Sequence, residues 1–160
     1  MKSIKELKNT MPQIGRIDWI SIRPARRADV EVREEVEITL AGGLVGDRYT
    51  KAGGNRTVTL IQAEHLDVIA NIMKVEVTPD MLRRNIMVSG INLKALQDAK
   101  FKIGEDVILQ GTGNCVPCSR MEEALGEGGY NVMRGHGGIT SKVIQGGKIK
   151  YGDKISLLTD

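Results

Sequence analysis

The sequence predicts a mostly β fold, in which a barrel-like and largely antiparallel sheet carries two or three short helices. Composition is the first observation behind this prediction: the 160 residues include 19 glycines but only one Phe, one Trp and three Tyr. Such a chain has many turns and a core of aliphatic side chains, which suits short strands. The second observation is that several segments alternate apolar and polar residues, as half-buried strands do. Strands and helices do not alternate regularly, which disfavours a parallel α/β sheet.

Four strands and one amphipathic helix are predicted in the first half of the chain. The strands lie at residues 15–22, 30–32, 36–40 and 57–61. The helix follows at residues 62–73, where Leu66, Ile69, Ala70 and Met73 recur at three- and four-residue spacing. That spacing places the four side chains on one helical face.

A second, short helix and several further strands are predicted beyond residue 75. Thr78 can cap the helix, and Pro79 falls in its first turn, where the missing N–H is harmless. Glycine-containing turns separate the later strand segments and predict two hairpins. The strands lie at residues 86–88, at 101–110 with a turn at 104–106, at 140–145 and 148–151 around Gly146-Gly147, and at 154–158.

Length and charge restrict the organisation and the possible partners. We expect a single domain over residues 1–160, with a core at about 15–158 and an N-terminal extension at 1–14. The 23 basic and 20 acidic residues leave a formal charge of +3, too small to favour nucleic acid as a partner. The N-terminus lacks the apolar stretch of a signal peptide and no segment has the length of a membrane span, so we expect a cytoplasmic protein without a membrane partner.

Cys115 and Cys118 are the only cysteines, and two residues separate them. In a reducing compartment this spacing indicates a metal or redox site rather than a structural disulfide. Ser119 and Glu122 have the spacing of a capping box, which predicts a helix from about Arg120 to Gly126. The helix start and the Arg120 charge would then favour a thiolate at Cys118.

Several segments together are similar to a known family. In chain order they are Gly46-Asp47-Arg48, Thr57 to His65 (TVTLIQAEH), Leu82 to Ile86 (LRRNI), Cys115 to Glu122 (CVPCSRME) and Arg134 to Gly138 (RGHGG). Each segment alone is weak, but the ordered set resembles stand-alone bacterial MOSC domains, named for the C-terminal domain of molybdenum cofactor sulfurase, and within them the YiiM-type branch. The resemblance extends from about Gly15 to Leu158.

The resemblance implies a barrel-like fold that binds a molybdopterin-type molybdenum cofactor. In characterised members the metal is held by the pterin dithiolene, oxo groups and one cysteine thiolate, and N-hydroxylated compounds are reduced with cleavage of the N–O bond. Electrons would come from a partner protein of the flavin reductase or ferredoxin type. We expect no haem, flavin or pyridoxal phosphate in this chain, a small-molecule substrate, and a monomer or homodimer.

The resemblance also assigns roles to individual residues. Cys118 matches the metal-ligand cysteine, and Cys115 occupies a less critical position. Arg48, Arg83 and Asn85 match positions that hold the pterin and its phosphate. Arg23 matches a cofactor-contacting lysine, although Pro24 replaces the serine that follows it there.

Chemistry adds further candidates to these matches. A phosphate dianion prefers forked guanidinium donors, which adds Arg84 to the cofactor-binding set, and the helix start adds Ser119 and Arg120. N–O cleavage consumes protons, and His136 is the candidate donor because a histidine titrates near neutral pH. Residues 24–27, the basic loop after Arg23, are expected to be solvated.

Three other functions remain open at this point. A dithiol–disulfide oxidoreductase would use Cys115 and Cys118 as a pair, although the βαβ setting of thioredoxin-like proteins is absent. A structural zinc site would have Cys115, Cys118 and His136 but lack a fourth ligand. A sulfur-carrier or cofactor-delivery module would carry persulfide sulfur on Cys118, and the sequence does not separate this function from that of a reductase.

Overall fold

The computed structural model describes residues 1–159, and its main feature is a closed barrel of seven strands. Within those residues the chain forms eleven strands. They are β1 Gly15–Ile22, β2 Glu31–Val32, β3 Glu35–Thr39, β4 Gly43–Leu44, β5 Val58–Gln62, β6 Ile86–Ser89, β7 Lys100–Ile103, β8 Val107–Asn114, β9 Ile139–Gln145, β10 Gly147–Lys150 and β11 Lys154–Leu157. The prediction of a mostly β, barrel-like fold is confirmed.

Short helices lie before β1 and in the connections between later strands. Within residues 1–159 they are α1 Ile4–Lys8, α2 Ala63–Met73, α3 Pro79–Leu82, α4 Ser119–Leu125 and α5 Gly129–Met133, with a 3₁₀ helix at Leu93–Leu96. The three predicted helices are present, and α1 and α5 are additional. Both have five residues, too few for a helical period to be recognised in the sequence. With 11 residues in α2, the longest, none of these helices could cross a bilayer.

The barrel closes because β1 pairs with strands at both ends of the sheet. The order is β11-β7-β8-β9-β5-β6-β1, and β1 also pairs with β11 through Gly15↔Ile155. All neighbours are antiparallel except β5 and β6. This parallel pair is joined by α2 and α3, as a parallel connection requires a crossover of many residues.

The predicted hairpin around Gly146-Gly147 is wrong. β10 pairs with β3, with Gly147 opposite Ile38 and Ile149 opposite Val36, and forms a separate three-stranded sheet with β4. A Cβ on Gly146 would lie 2.4 Å from the Ile38 carbonyl oxygen, so glycine allows the two backbones to meet here. The buried side chain of Ile149 fixes this arrangement.

Two clusters of buried apolar residues hold the fold together. The larger fills the barrel and includes Phe101, Ile20 and Leu60. The smaller packs the helices against β5 and contains Ile61, Leu66, Ile69, Leu82, Met121, Leu125, Val132 and Met133. Because this second cluster includes residues of α3 and α4, it fixes the segments that precede β6 and follow β8.

The predicted capping box at Ser119 is wrong. Helix α4 begins at Ser119 itself, Cys118 is its N-cap, and no side chain caps it. The Glu122 carboxylate instead accepts hydrogen bonds from the backbone N–H groups of Gly128 and Tyr130, at 2.9 Å each. These bonds to two backbone donors lower the pKa of Glu122 and connect α4 to the start of α5.

Candidate functional site

A cavity of about 320 Å³ opens at one end of the barrel, where β1 and β8 end and β5 and β6 begin. It is lined by Arg23, Arg26, Arg27, Arg48, Tyr49, Arg56, Thr59, Arg83, Arg84, Cys115, Val116, Cys118, Ser119, Arg120 and Met121. Eight of these residues are arginines and none is acidic. The cavity is therefore strongly electropositive and suited to an anion.

The two cysteines occupy different environments beside this cavity. Cys118 is exposed at the start of α4, whereas Cys115 is buried, with 5% of its surface accessible. The backbone N–H of Cys115 donates to the Gly138 carbonyl and holds the end of β8 against β9. An exposed thiol can reach a ligand in the cavity, so Cys118 is the more accessible of the two sulfur atoms.

A buried network holds Arg23 at the cavity wall. Its guanidinium makes a bidentate ion pair with Asp47, with Nε–Oδ1 at 3.2 Å and Nη2–Oδ2 at 3.1 Å. The Asp47 side chain has no accessible surface and also accepts from the Arg23 backbone N–H at 2.7 Å. Asn85 accepts from Arg23 Nη2 and donates to Asp47 Oδ1. Arg23 therefore has a fixed orientation, and Nη1 is the guanidinium nitrogen that remains to donate to a ligand.

Asn85 supports this network from below and does not itself line the cavity. It has no accessible surface, accepts from the Thr59 backbone N–H at 3.1 Å, and donates to the Ser21 carbonyl at 3.2 Å. All of its polar atoms therefore have protein partners. Direct contact between Asn85 and a cofactor stays a prediction.

Arg83 and Arg84 are adjacent but differ in their surroundings. Arg84 is 7% exposed and donates to the carbonyls of Gly137 and Leu82, at 2.9 Å each. Burial lowers the pKa of Arg84, while the nearby Cys115 and Cys118 thiols act in the opposite direction. Arg84 therefore fixes the loop beside the cysteines as well as lining the cavity.

The Arg83 side chain lines the cavity and reaches the loop between β1 and β2. Its Nη1 donates to the Ala28 carbonyl at 2.7 Å. Partial burial and the neighbouring charges of Arg120, Arg23 and Arg48 lower the pKa of Arg83, and Asp29 partly offsets them. Because four guanidiniums influence each other here, an anion bound among them would relieve mutual repulsion.

The remaining predicted cofactor-binding residues, Arg48, Ser119 and Arg120, also line the cavity. Tyr49 lies between two guanidiniums, with its ring centroid 5.0 Å from Arg23 Cζ and 5.2 Å from Arg48 Cζ. Such stacking holds an arginine side chain in place through cation–π attraction.

His136 lies outside this cavity. Its ring makes an edge-to-face contact with His65, with centroids 5.3 Å apart, and Nδ1 is 2.8 Å from the Val132 carbonyl oxygen. None of the lining residues in the described part of the chain is a histidine. The proton-donor role of His136 stays a prediction, and the structure does not place its ring beside Cys118 in the cavity.

Sequence reasoning missed four contributors to the site. Asp47 was visible in its Gly-Asp-Arg motif, but its partner is Arg23 rather than the adjacent Arg48. Arg26 and Arg27 are exposed, as expected of a solvated loop, but both also line the cavity, as does Arg56. The clustering of basic residues at 23–27 could have indicated an anion site in the sequence. Only the fold shows that this loop meets the loops before β5 and β6.

The described residues contain no group of three or more His, Cys, Asp or Glu side chains that could hold a metal ion. The Cys115, Cys118 and His136 set of the zinc hypothesis is therefore not assembled. A metal bound at Cys118 would take its other ligands from a cofactor.

Comparison with known families identifies the fold and the family together. The family model described as MOSC domain matches residues 47–156. The chain belongs to the MOSC domain family. No curated protein matches the chain.

Three solved structures share the fold of this MOSC domain at low sequence identity. The YuaD protein from Bacillus subtilis aligns with a TM-score of 0.78 and 20% identity over 89% of this chain and 94% of that one. YiiM from Geobacillus stearothermophilus aligns with a TM-score of 0.70 and 16% identity over 91% of this chain and 75% of that one. YiiM from Escherichia coli aligns with a TM-score of 0.66 and 20% identity over 91% of this chain and 70% of that one. At these identities the structural likeness concerns the fold alone.

The donor set of this MOSC domain fits a molybdopterin-type cofactor. An exposed thiol supplies a soft ligand for a high-valent metal, and the guanidiniums around it supply forked donors for a phosphate. The volume of about 320 Å³ lies within the usual range of small-molecule sites.

Proposed function

We propose that this MOSC domain binds a molybdopterin-type cofactor and reduces N-hydroxylated compounds. The observation that carries the proposal is one exposed thiol, Cys118, in a cavity lined by eight arginines and no carboxylate. When bound, the cofactor supplies a metal that changes oxidation state by two electrons. Each turnover converts R–NH–OH, two electrons and two protons into R–NH₂ and water, with the electrons delivered by a partner protein.

In this proposal the protein residues bind and orient the cofactor. Cys118 would ligate the metal from the start of α4. Arg23, fixed by Asp47 and Asn85, would hold the cofactor phosphate together with Arg48 and Arg83. Because these donors are positioned before binding, they lose little conformational entropy on contact with the anion.

The first prediction tests the ligand assignment. The protein is purified from a host that makes the cofactor, and molybdenum and pterin are quantified for wild type, Cys118→Ala and the control Cys115→Ser. Loss of outer-shell partners alone weakens metal sites about 10–100-fold, so loss of the ligand in Cys118→Ala should lower retained molybdenum at least about tenfold. Cys115→Ser should keep the metal. Equal molybdenum in wild type and Cys118→Ala would falsify the assignment.

The same variants separate the rival functions. A dithiol–disulfide protein would lose exchange activity in Cys115→Ser, but the burial of Cys115 makes it a poor exchange partner. The exposure of Cys118 also suits a sulfur carrier. Reduction of benzamidoxime with a chemically reduced electron carrier decides between these two: loaded protein without turnover favours the carrier, and amidine formation favours the reductase.

A further inference from the structure

The loop between β1 and β2 contains a tight turn with arginine at both central positions. The Ala28 backbone N–H donates to the Ala25 carbonyl at 3.2 Å, which closes a four-residue turn around Arg26 and Arg27. Arg27 has φ +64°, in the left-handed region. Turns with positive φ at the third residue normally place glycine or asparagine there. An arginine in this position is unfavourable for the backbone, and such outliers cluster at functional sites.

The turn is exposed at Arg26 and Arg27, but its last residue is hydrogen-bonded to a side chain that lines the cavity. Arg83 donates to the Ala28 carbonyl at 2.7 Å, so the residue after Arg27 is held by a cavity-lining side chain. Arg26 and Arg27 both line the cavity. Among residues 1–159 neither makes a salt bridge or a side-chain hydrogen bond, so their donors are available to a ligand.

Charge balance indicates that one phosphate does not use all of the guanidiniums. Of the eight lining arginines, Asp47 neutralises one. A phosphate monoester carries about two negative charges and a thiolate carries one. Because Asp29 also acts on Arg83, about three guanidinium charges remain without a counter-charge. Water can solvate an uncompensated charge on a single exposed arginine. Several such charges around one concave site favour the binding of a second anionic group.

We propose that the Arg26-Arg27 turn is a second anion site that binds a carboxylate or phosphate carried by the substrate. The inference rests on the proposed function, and it narrows the substrates to N-hydroxylated compounds with an anionic group. The same chemistry could serve a second phosphate of a nucleotide-extended cofactor, and the experiment separates these sources.

The test uses the double variant Arg26→Gln/Arg27→Asn, because asparagine accepts positive φ and preserves the turn. The matched control is Arg16→Gln/Arg33→Gln, which removes two arginine charges from exposed ion pairs outside the cavity. A single Arg26→Gln variant gives a second measurement that does not alter the left-handed residue. Far-ultraviolet circular dichroism verifies that all three fold.

The first measurement needs no cofactor: calorimetric titration of the cofactor-free protein with inorganic pyrophosphate at low ionic strength. We expect about tenfold weaker binding in the double variant, a smaller loss in Arg26→Gln, and little change in the control. Unchanged affinity in the double variant overturns the anion site. If the wild-type protein retains no molybdenum, the proposed function fails, while this titration still decides whether the turn binds anions.

The second measurement identifies the source of the anion. With cofactor-loaded protein, kcat/KM is compared for 4-carboxybenzamidoxime and neutral benzamidoxime. We expect wild type to prefer the carboxylated compound, and the preference to fall about tenfold in the double variant. An unchanged preference overturns the substrate assignment. Loss of molybdenum in the double variant, with the preference retained, also overturns it and assigns the turn to the cofactor.

Discussion

Asn85 joins three segments that are distant in the sequence. Its amide oxygen accepts from the Thr59 backbone N–H and from Arg23, and its amide nitrogen donates to the Ser21 carbonyl and to Asp47. These contacts tie β1 and β5 to the Gly-Asp-Arg segment beneath the cavity. Asn85 is therefore best understood as a positioning residue that acts through Arg23 and Asp47.

Asn85→Ala should destabilise the protein strongly. The change leaves the Thr59 N–H and the Ser21 carbonyl without their buried partner, and it removes one of the donors to Asp47 Oδ1. Each such group costs about 1–3 kcal/mol, so we expect a loss of about 3–5 kcal/mol in the free energy of unfolding. Urea unfolding followed by circular dichroism measures it.

Asn92→Ala is the matched control for this measurement. Asn92 is exposed and its side chain makes no cap hydrogen bond with the 3₁₀ helix that follows it. Its truncation should change stability by less than about 0.5 kcal/mol. If both variants lost the same stability, the buried hydrogen bonds of Asn85 would not stabilise the fold.

The contact between β9 and β5 depends on Gly138, at the end of the Arg134–Gly138 segment. Gly138 has φ +85°, and a Cβ there would lie 1.8 Å from the Leu60 carbonyl oxygen. The Gly138 carbonyl also accepts the backbone N–H of Cys115. This glycine therefore lets β5 pass close to the segment that positions the two cysteines.

Gly138→Ala should lower the free energy of unfolding more than Gly135→Ala does. Gly135 has nearly the same angle, φ +83°, but no atom lies within 4 Å of its added Cβ. Gly135→Ala should cost only the left-handed backbone term, about 1–2 kcal/mol. In Gly138→Ala, overpacking against Leu60 adds a further loss of about 1–3 kcal/mol, and pyrophosphate should bind the cavity more weakly. Thermal unfolding and pyrophosphate titration of both variants measure these effects, and equal losses would contradict a role for the β5 contact.

Local sequence patterns predicted strands and helices well where the spacing of apolar residues alone determined the structure. The period of two located β1, and helical spacing located α2 within one residue of its observed start. The Ser119–Glu122 spacing failed because Glu122 found two backbone donors at the start of α5, which the sequence does not reveal. Gly146-Gly147 failed as a hairpin for a similar reason, since the partner of β10 is distant β3.

The site was predictable only in the residues that motifs single out. Cys118, Arg23, Arg48 and Arg83 lie together in the cavity. The convergence of Arg26, Arg27 and Arg56 with them depends on barrel closure, a long-range property that sets which loops meet. His136 shows the opposite case, because a conspicuous motif lies against α2 rather than in the cavity.

At the scale of the whole molecule, the partial burial of His65 beside His136 makes stability depend on pH. Burial lowers the pKa of His65 below its ordinary value of 6.5, the His136 and Lys94 charges lower it further, and Glu64 partly offsets them. The unfolded chain therefore binds more protons than the folded one as pH falls through about 6.5. The contribution of a neutral His65 is complete above this pH and is lost as pH falls towards the folded pKa.

We therefore expect the free energy of unfolding to fall between pH 7.5 and 5.5, and to fall less in His65→Gln, which has no titrating group at this position. Urea unfolding at both pH values and constant ionic strength measures the difference. The pKa values of Glu6 and Glu122 are also lowered, from the ordinary value of 4.5. These two carboxylates therefore stabilise the fold above pH 4.5 and lose that stabilisation only as the pH falls below it, outside the range measured here. An equal pH dependence in wild type and His65→Gln would show that the histidine contact does not couple protonation to folding.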